Sequence, residues 1–600
     1  MGNLVSPGIN VVEKNFSQIV PTVASGVGGM VGRFTQGPIN TPILLSSETD
    51  LFNVFGGPTD LNANDWHTIA EFFKYTNACW VTRASNAGVL NATSSGTGVS
   101  ILNPTDYENI QAGTKTTAGN FIAKQPGLLG NGVGVMVIDS ATWNAFVTWS
   151  DANVTNMPNN ISLDGYFSGP PTTSAYVQNL TIDSTAKNDE VHVLVLDVQG
   201  KITGTPYTIL EKYEGLSKAS DAVDYRGLSI YYPQVLNVSS AYVWWSSHPT
   251  ASAGANDIAI GLTAYDVAPT GKTFASIVVG VSPNFYTSTM LGGVLGTAST
   301  ATEIQTAYDT LSNKDLYNVN LLMTGAFGLG TTGQIETYAL QNIAFMRQDC
   351  VAFVSPHTAG APIRDSATAN TTVAAFKTSM NVPDDIASYG FMDTGMKYIF
   401  DRYSKKYRWI PVNGDMAGLA ARTESTNDAW WSFAGYNRGG IKNVIKLAYN
   451  PSQTHRDYLY PRGINPCIID SQSGPILFGD RTMTSKPSAF DRINVRRLFI
   501  VLEKAISTAA KWELFEFNDP FTRSQFSNMV IPFLTMVQGR RGITSFNIKC
   551  DGNNNTQQVI DSNSFVAEIT LIPAKSINYV TLSFAATNSN VAFSTTVGGQ

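Results

Sequence analysis

The sequence predicts a multidomain α+β protein: a mixed α/β core, a C-terminal α+β domain, extended arms at both ends, and β-rich insertions between. Three observations carry this. Six hundred residues exceed what one hydrophobic core can serve. Strand-like and helix-like patterns alternate from about 275 to 480. Residues 491–539 hold two helical patterns that give way to strand patterns.

Taken in order, residues 1–20 read as an extended arm. Ser6-Pro7-Gly8 is a turn signal, and Ile9 and Val11 alternate after it. Residues 21–90 are the first part of the core, with Asp65 placed to cap a short helix through Ile69, Phe72 and Phe73, and Cys79–Arg83 as a strand. From 91 to 270 the composition shifts to Ser, Thr, Asn and Gly around short apolar stretches, Val133–Ile138 and Val191–Val198, which predicts β-rich insertions. Over 271–485, Asn318–Met323 and Cys350–Val354 read as strands and Gln334–Met346 as a helix between them.

The block 486–585 opens with Asp491 as a cap, followed at helical spacing by Val495, Leu498, Leu502, Ile506 and Ala509. Asp519-Pro520, a cap and a first-turn proline, starts a second helix through Phe526, Val530, Phe533 and Val537 to Gly539, with Pro532 inside it. Phe565–Leu571 and Tyr579–Phe584 read as strands, the latter with Val580, Leu582 and Phe584 on one face. A loose polar tail, 586–600, ends the chain.

Only 14% of the residues are charged, against about a quarter in a typical chain. Such a composition suits a subunit that covers much of its surface with copies of itself. The net charge of -6 argues against a general nucleic-acid binder. Residues 481–549 are locally +6, leaving -12 on the rest, a contrast that fits either a basic face for an acidic partner or a solvated helix pair. Cys79, Cys350, Cys467 and Cys550 are scattered, which predicts free thiols in a reducing cytoplasm and neither a disulfide scaffold nor a zinc site. No apolar run reaches the ~18 residues of a membrane span, and no signal peptide is expected. Met1-Gly2 to Ser6 fits a myristoylation pattern, too short to weigh.

Three motifs look like chemistry. Gly328-Leu329-Gly330-Thr331-Thr332-Gly333 matches the dinucleotide fingerprint between a strand and a helix, but the next strand ends in Ser355-Pro356-His357 where an acidic residue should hold a ribose. Thr270-Gly271-Lys272-Thr273 resembles a phosphate loop, yet Asp266 stands at its first glycine. Thr378-Ser379-Met380 resembles the nucleophile turn of subtilisin-type proteases, with Lys377 in place of glycine and His357 only 22 residues upstream. Histidines 67, 192, 248, 357 and 455 form no metal-ligand pair. No cofactor, metal or catalytic residue is expected.

Several stretches, in order, resemble the tail sheath family of contractile-tailed phages. They are Ser6-Pro7-Gly8-Ile9; Gly32, Gly37-Pro38 and Phe55-Gly56; Ala123-Lys124, Pro126-Gly127 and Gly130-Asn131; and Ile209-Leu210-Glu211 with Gly215-Leu216-Ser217. Then come Pro411, Gly414, Ala417-Gly418 and Ala421-Arg422-Thr423; Gly463-Ile464-Asn465; Gly479-Asp480-Arg481-Thr482; Arg496-Arg497-Leu498; and Phe515-Glu516-Phe517-Asn518. Phe517, Phe478 and Lys575-Ser576-Ile577 depart from the family's usual residues.

The resemblance implies an inner domain built from both chain ends, outward-facing insertions and a core of subtilisin-like topology. It implies a non-enzymatic subunit of the virion, assembled in the host bacterial cytoplasm. Its partners would be copies of itself in helically stacked hexameric rings, the tail tube, and baseplate and terminator proteins, with no direct nucleic acid and no membrane insertion. The sheath would polymerise around the tube and contract to drive it through an envelope.

On this reading Ser6, Pro7, Gly8, Ile9 and Val11, with Tyr579, Val580, Leu582 and Phe584, make strand contacts to neighbouring copies, and Arg523, Arg540 and Arg541 touch the tube. A bacteriocin or injection-device sheath, a nucleotide-binding enzyme using Gly328–Gly333, and a β-rich adhesin are the alternatives.

Overall fold

The computed structural model describes residues 25–110, 112–180, 185–249, 254, 257–262, 270–277 and 283–578. Ser6, Pro7, Gly8, Ile9 and Val11, and Tyr579, Val580, Leu582 and Phe584, lie outside the described residues.

A six-stranded sheet organises the core: β1 (Gly28–Gly32), β2 (Ile43–Leu45), β3 (Cys79–Arg83), β4 (Leu321–Met323), β5 (Val351–Val354) and β6 (Gly390–Met392), in spatial order β6-β5-β4-β1-β3-β2. Neighbours are parallel except the edge pair β2–β3. Parallel strands are covered on both faces and therefore read as unbroken apolar runs. Leu-Leu-Met of β4 and Val-Ala-Phe-Val of β5 are buried throughout.

Helix α1 (Ala63–Phe72) lies between β1 and β3 in sequence and is almost wholly buried. Asp65 is not the cap of this helix. Asn62 occupies the cap position, and Asp65 sits in the first turn, where its carboxylate accepts from Arg33 at 2.7 and 2.9 Å. Helix α2 (Asn413–Thr426) crosses α1 so closely that a Cβ on Gly414 would stand 2.1 Å from Thr68 O, and one on Gly418 2.4 Å from the Tyr75 ring. The small residues of that run are thus contact residues between two helices.

Beside α1 and α2 lies an antiparallel sheet of β7 (Met396–Asp401), β8 (Lys406–Pro411) and β9 (Lys446–Leu447). From β7, the fully buried Lys397 reaches Glu71 of α1 at 2.9 Å, Asp415 of α2 at 2.8 Å and the Lys442 carbonyl at 2.8 Å. Burial pushes Asp415 up to about 6, with Lys397 opposing the shift. Burial also works against the charge on Glu71, yet Lys397 and Lys74 together hold its pKa below the usual value.

The chain leaves this body at 84–94 and returns at 291–297, and the two crossings pair: Leu90 N donates to Val294 O at 2.9 Å and Thr297 N to Ala87 O at 2.9 Å. Buried Arg83 adds bonds to the Gly37 and Pro126 carbonyls at 2.7 and 2.9 Å. Between the crossings, a four-stranded antiparallel sheet runs in the order Tyr286–Thr289, Val133–Asp139, Glu190–Asp197, Thr208–Ser217. Alternate residues feed two separate cores, Val133, Val135 and Val193 on one and Met136, Ile138 and Leu194 on the other. The description β-rich is incomplete, because both cores need covering: helix Trp143–Ala152 supplies Phe146 to one and helix Tyr232–Ser239 supplies Leu236 to the other.

In the last block, α3 (Ile493–Ala510) and α4 (Pro520–Gly539) pack through Leu498, Leu502, Phe526, Val530 and Leu534. The α4 cap is as read: Asp519 accepts from Thr522 N at 2.8 Å, Pro520 follows, and Pro532 lies inside the helix. The α3 cap is not. Arg492 holds that position, and Asp491 instead lies 3.7 Å from Arg481 and 3.8 Å from Arg492. Buried Arg497 binds Glu424 at 2.9 Å, and Arg496 stacks on Tyr389 and Phe490 while donating to Ser388 Oγ at 2.6 Å, so this helix is clamped to the core. The hairpin β10 (Ile543–Lys549) and β11 (Glu568–Pro573) completes the block, β11 starting three residues later than the apolar pattern at Phe565.

Removing Lys397 leaves Asp415 buried without a cation and Glu71 with Lys74 alone. Lys397→Ala should destabilise the core by about 3–5 kcal/mol, the cost of breaking a buried pair, read from faster hydrogen exchange of the β4 and β5 amides. Lys406→Ala, which breaks an exposed pair with Asp60, should leave the exchange of those amides unchanged.

Candidate functional site

In an open α/β sheet, ligands bind beyond the carboxyl ends of the strands. In this chain that crevice is used for packing. Ser355 after β5 donates to Asp393 after β6 at 2.7 Å and accepts from Asn413 N at 2.9 Å. Asn413 Nδ2 donates to Gly325 O at 2.8 Å, and Gly395 N to Asp393 at 2.7 Å. Burial pushes Asp393 far above the usual carboxylate range. The polar groups thus tie the strand ends to the start of α2.

The glycine turn follows the same logic. A Cβ on Gly328 would stand 2.4 Å from the Ala359 carbonyl carbon, and Thr331 N, which a phosphate would need, donates to Gln334 Oε1 at 3.0 Å. Ser379 bonds to the Phe376 and Thr332 carbonyls at 2.7 and 3.2 Å. His357 is engaged elsewhere: Nε2 meets Glu336 at 2.9 Å and Nδ1 accepts from Gly360 N at 3.1 Å. The pairing of nucleophile and base that hydrolysis requires is not made. Among the described residues no three His, Cys, Asp or Glu side chains group as metal ligands. No described helix is long and apolar enough to cross a membrane.

The terminal hairpin is a different kind of site. Phe546 pairs with Leu571 and Ile548 with Ile569, and these side chains face the α3–α4 core. Among the described residues neither β10 nor β11 has a second neighbour, so both outer edges present unpaired backbone groups. The described chain starts close by, with Ser25 N on Glu424 Oε1 at 2.6 Å. It ends at Asn578, whose amide donates to Tyr460 OH and Asp480 at 3.0 Å each.

Arg523 and the Arg540-Arg541 pair stand at opposite ends of α4. Arg523 is buried and donates to Asn518 Oδ1 at 3.2 Å. Arg540 lies seventeen residues further on, about 26 Å along a helix, and pairs with Asp428 at 3.0 Å. Arg541, with φ +63, is exposed.

The loop between α3 and α4 carries a feature that no sequence motif marks. The eight residues joining α3 to the Asp519 cap hold Trp512, Leu514, Phe515 and Phe517, and all four are exposed, Phe515 fully and at φ +72. A short connection between helices is normally polar. The concentration of large apolar residues was the available signal; only packing shows that they stay uncovered.

Residues 334–483 match the phage tail sheath protein central domain and residues 485–587 the phage tail sheath C-terminal domain. The chain is 30% identical to the tail sheath protein of Vibrio phage KVP40, covering 99% of this chain and 100% of that protein. It is likewise 30% identical to the tail sheath protein of Enterobacteria phage T4, covering 99% of each. The crystal structure of a sheath tail protein from Listeria innocua shares the fold, with a TM-score of 0.50 and 10% identity over 92% of this chain and 96% of that one.

The bonding of Ser379 and His357 has a chemical consequence. A fluorophosphonate probe should leave Ser379 unlabelled at neutral pH. Labelling that disappears in Ser379→Ala would restore the hydrolase reading.

Proposed function

This chain belongs to the phage tail sheath family, and we propose that it works mechanically, polymerising around a tail tube in an extended state and contracting to drive that tube through a host envelope. The observation that carries this reading is the two-stranded terminal hairpin with both edges unpaired among the described residues. An exposed edge is a template for a strand from another chain. The sequence holds alternating apolar segments at both ends, around Ile9 and Val11 and around Val580, Leu582 and Phe584.

On this reading each copy donates its end segments to the β10–β11 sheets of neighbours. At ~1 kcal/mol net per hydrogen bond, a six-residue strand contributes several kcal/mol. Contacts that do not close on themselves build a helix of copies. The strand pairs persist while the bulkier domains slide into a second packing. An extra ~40 Å² of apolar burial per copy is worth about 1 kcal/mol, which accumulates along the tail.

The reading of an inner domain built from both chain ends, with residues 91–270 as an outward insertion, is supported by the paired crossings at 84–94 and 291–297. They extend the inserted body past residue 270 to about 294. The reading of the core as subtilisin-like in topology is supported by its parallel sheet and by helices at its faces. Of the arginines considered for the tube, Arg540 and Arg541 are exposed, which favours that role over buried Arg523. As a virion component the protein needs no catalytic centre, and a sheath of an injection device would use the same geometry.

Deleting residues 1–20, or everything after Asn578, should leave a folded protein with native circular dichroism that forms no tubes in electron micrographs. Normal tubes from either truncation would sink the strand-donation model.

A further inference from the structure

Helix α4 and the loop before it form a surface that the end-strand model does not use. The helix spans 20 residues, and its single charged side chain, Arg523, is buried. A helix face open to water normally carries charges. The preceding loop exposes Trp512, Leu514, Phe515 and Phe517, and Phe521 of the first helical turn extends the patch. Large aromatic side chains bury about 150–250 Å² each, so this patch amounts to on the order of 700 Å². Specific interfaces cover about 800 Å² per partner.

The loop is also ordered by its own bonds. Asn518 donates to Ser564 O at 2.7 Å and accepts from Arg523, and Asp519 caps α4. Among the aromatic residues stand two acids, Glu513 and Glu516, and no cation pairs with either among the described residues. Glu513 Oε1 is buried without a hydrogen-bond partner. Burial and the nearby Glu516 push the Glu513 carboxyl up.

A surface of opposite charge lies on the β7–β8 hairpin. Tyr398 faces Trp409 and Phe400 faces Tyr407 across the strands, giving a row of rings with centroids 4.7 and 5.1 Å apart. Phe400 and Tyr407 are exposed. Lys446 lies over Tyr398 and Trp409 at 4.9 and 5.5 Å, and Arg364 over Trp409 at 5.8 Å. Neither cation has an acidic partner among the described residues, where no ring contact, hydrogen bond or ion pair joins this surface to the loop.

We propose that the Trp512–Phe521 loop of one copy docks on the aromatic, cationic face of the β7–β8 hairpin of a second copy, with Glu513 and Glu516 meeting Lys446 and Arg364. The contact rests on the sheath reading and adds to it a side-chain interface separate from strand exchange. It is heterologous, using two different patches, and so propagates along a helical array. The aromatic rows supply apolar burial, and the two acids gain the cations that the isolated chain denies them. The opposed charges also fix which way round neighbours dock.

The test places p-benzoylphenylalanine at Phe515 in the full chain and lets it assemble with isotope-labelled copies. Irradiated tubes should yield an intermolecular cross-link to the peptide holding Tyr398–Trp409 or to Lys446. A cross-link elsewhere on the chain, to the tube protein, or within one copy overturns the proposal, as does the absence of any. Charge reversal supplies a second reading. Glu513→Lys with Glu516→Lys should cut tube yield about tenfold or more, the scale of a lost close interfacial pair. Adding Lys446→Glu and Arg364→Glu should restore it, and failure to restore counts against the pairing. Failure of the unsubstituted chain to form tubes would sink the sheath reading; tubes that cross-link elsewhere sink only this contact.

Discussion

Lys397 is the point on which the core depends. Its ammonium group is taken wholly out of water, and carboxylates from two helices and a backbone carbonyl surround it. That requirement fixes α1, α2 and β7 relative to one another. The close crossing at Gly414 and Gly418 then follows, because the helices must approach until Asp415 reaches the ammonium. A buried ion cluster contributes little net stability over a well-packed apolar core, but any other arrangement of the three elements would strand a charge.

The rigid body so defined carries two other parts by quite different attachments. The inserted domain hangs on two paired crossings and on Arg83, whose bonds go to carbonyls. The terminal domain is held by Arg496 and Arg497, both buried at the start of α3. In the second attachment the buried Arg497 guanidinium is paired with a carboxylate, which cannot be released cheaply. The terminal hairpin is thereby fixed to the core through side-chain bonds as well as through the chain itself.

The enzyme-like turns illustrate how a fold can keep the shape of a site after its polar groups are committed to packing. The glycine turn brings Gly328 against the Ala359–Gly360 backbone, and the Gln334 side chain occupies an amide that a phosphate would need. Ser355, Asp393 and Asn413 bond to one another across strand ends. Local sequence registers the turn, because glycine is needed for the close approach whatever the turn serves. It does not register whether the amides are free.

Local chemistry was therefore legible and long-range pairing was not. The strand Cys79–Arg83, the buried runs of β4 and β5, and the Asp519-Pro520 start of α4 are written in residues that are neighbours in sequence, where periodicity and cap preference act directly. Asp65 and Asp491 have the sequence context of caps, because a carboxylate before a helix usually serves as one. Tertiary structure overrode both by offering arginines, a stronger partner for an acid than a backbone amide. Arg523 looked like a surface cation until the fold buried it beside Asn518. The exposed aromatic loop was visible as composition, but its exposure depends on what packs over it. Sequence by itself determined local elements such as the strand Cys79–Arg83 and the start of α4, and that the ends are apolar and alternating. Only the tertiary structure decided which charges are spent inside, such as Lys397 on Glu71, 326 residues away, and which apolar residues remain uncovered, because burial is a property of contacts between distant parts of the chain.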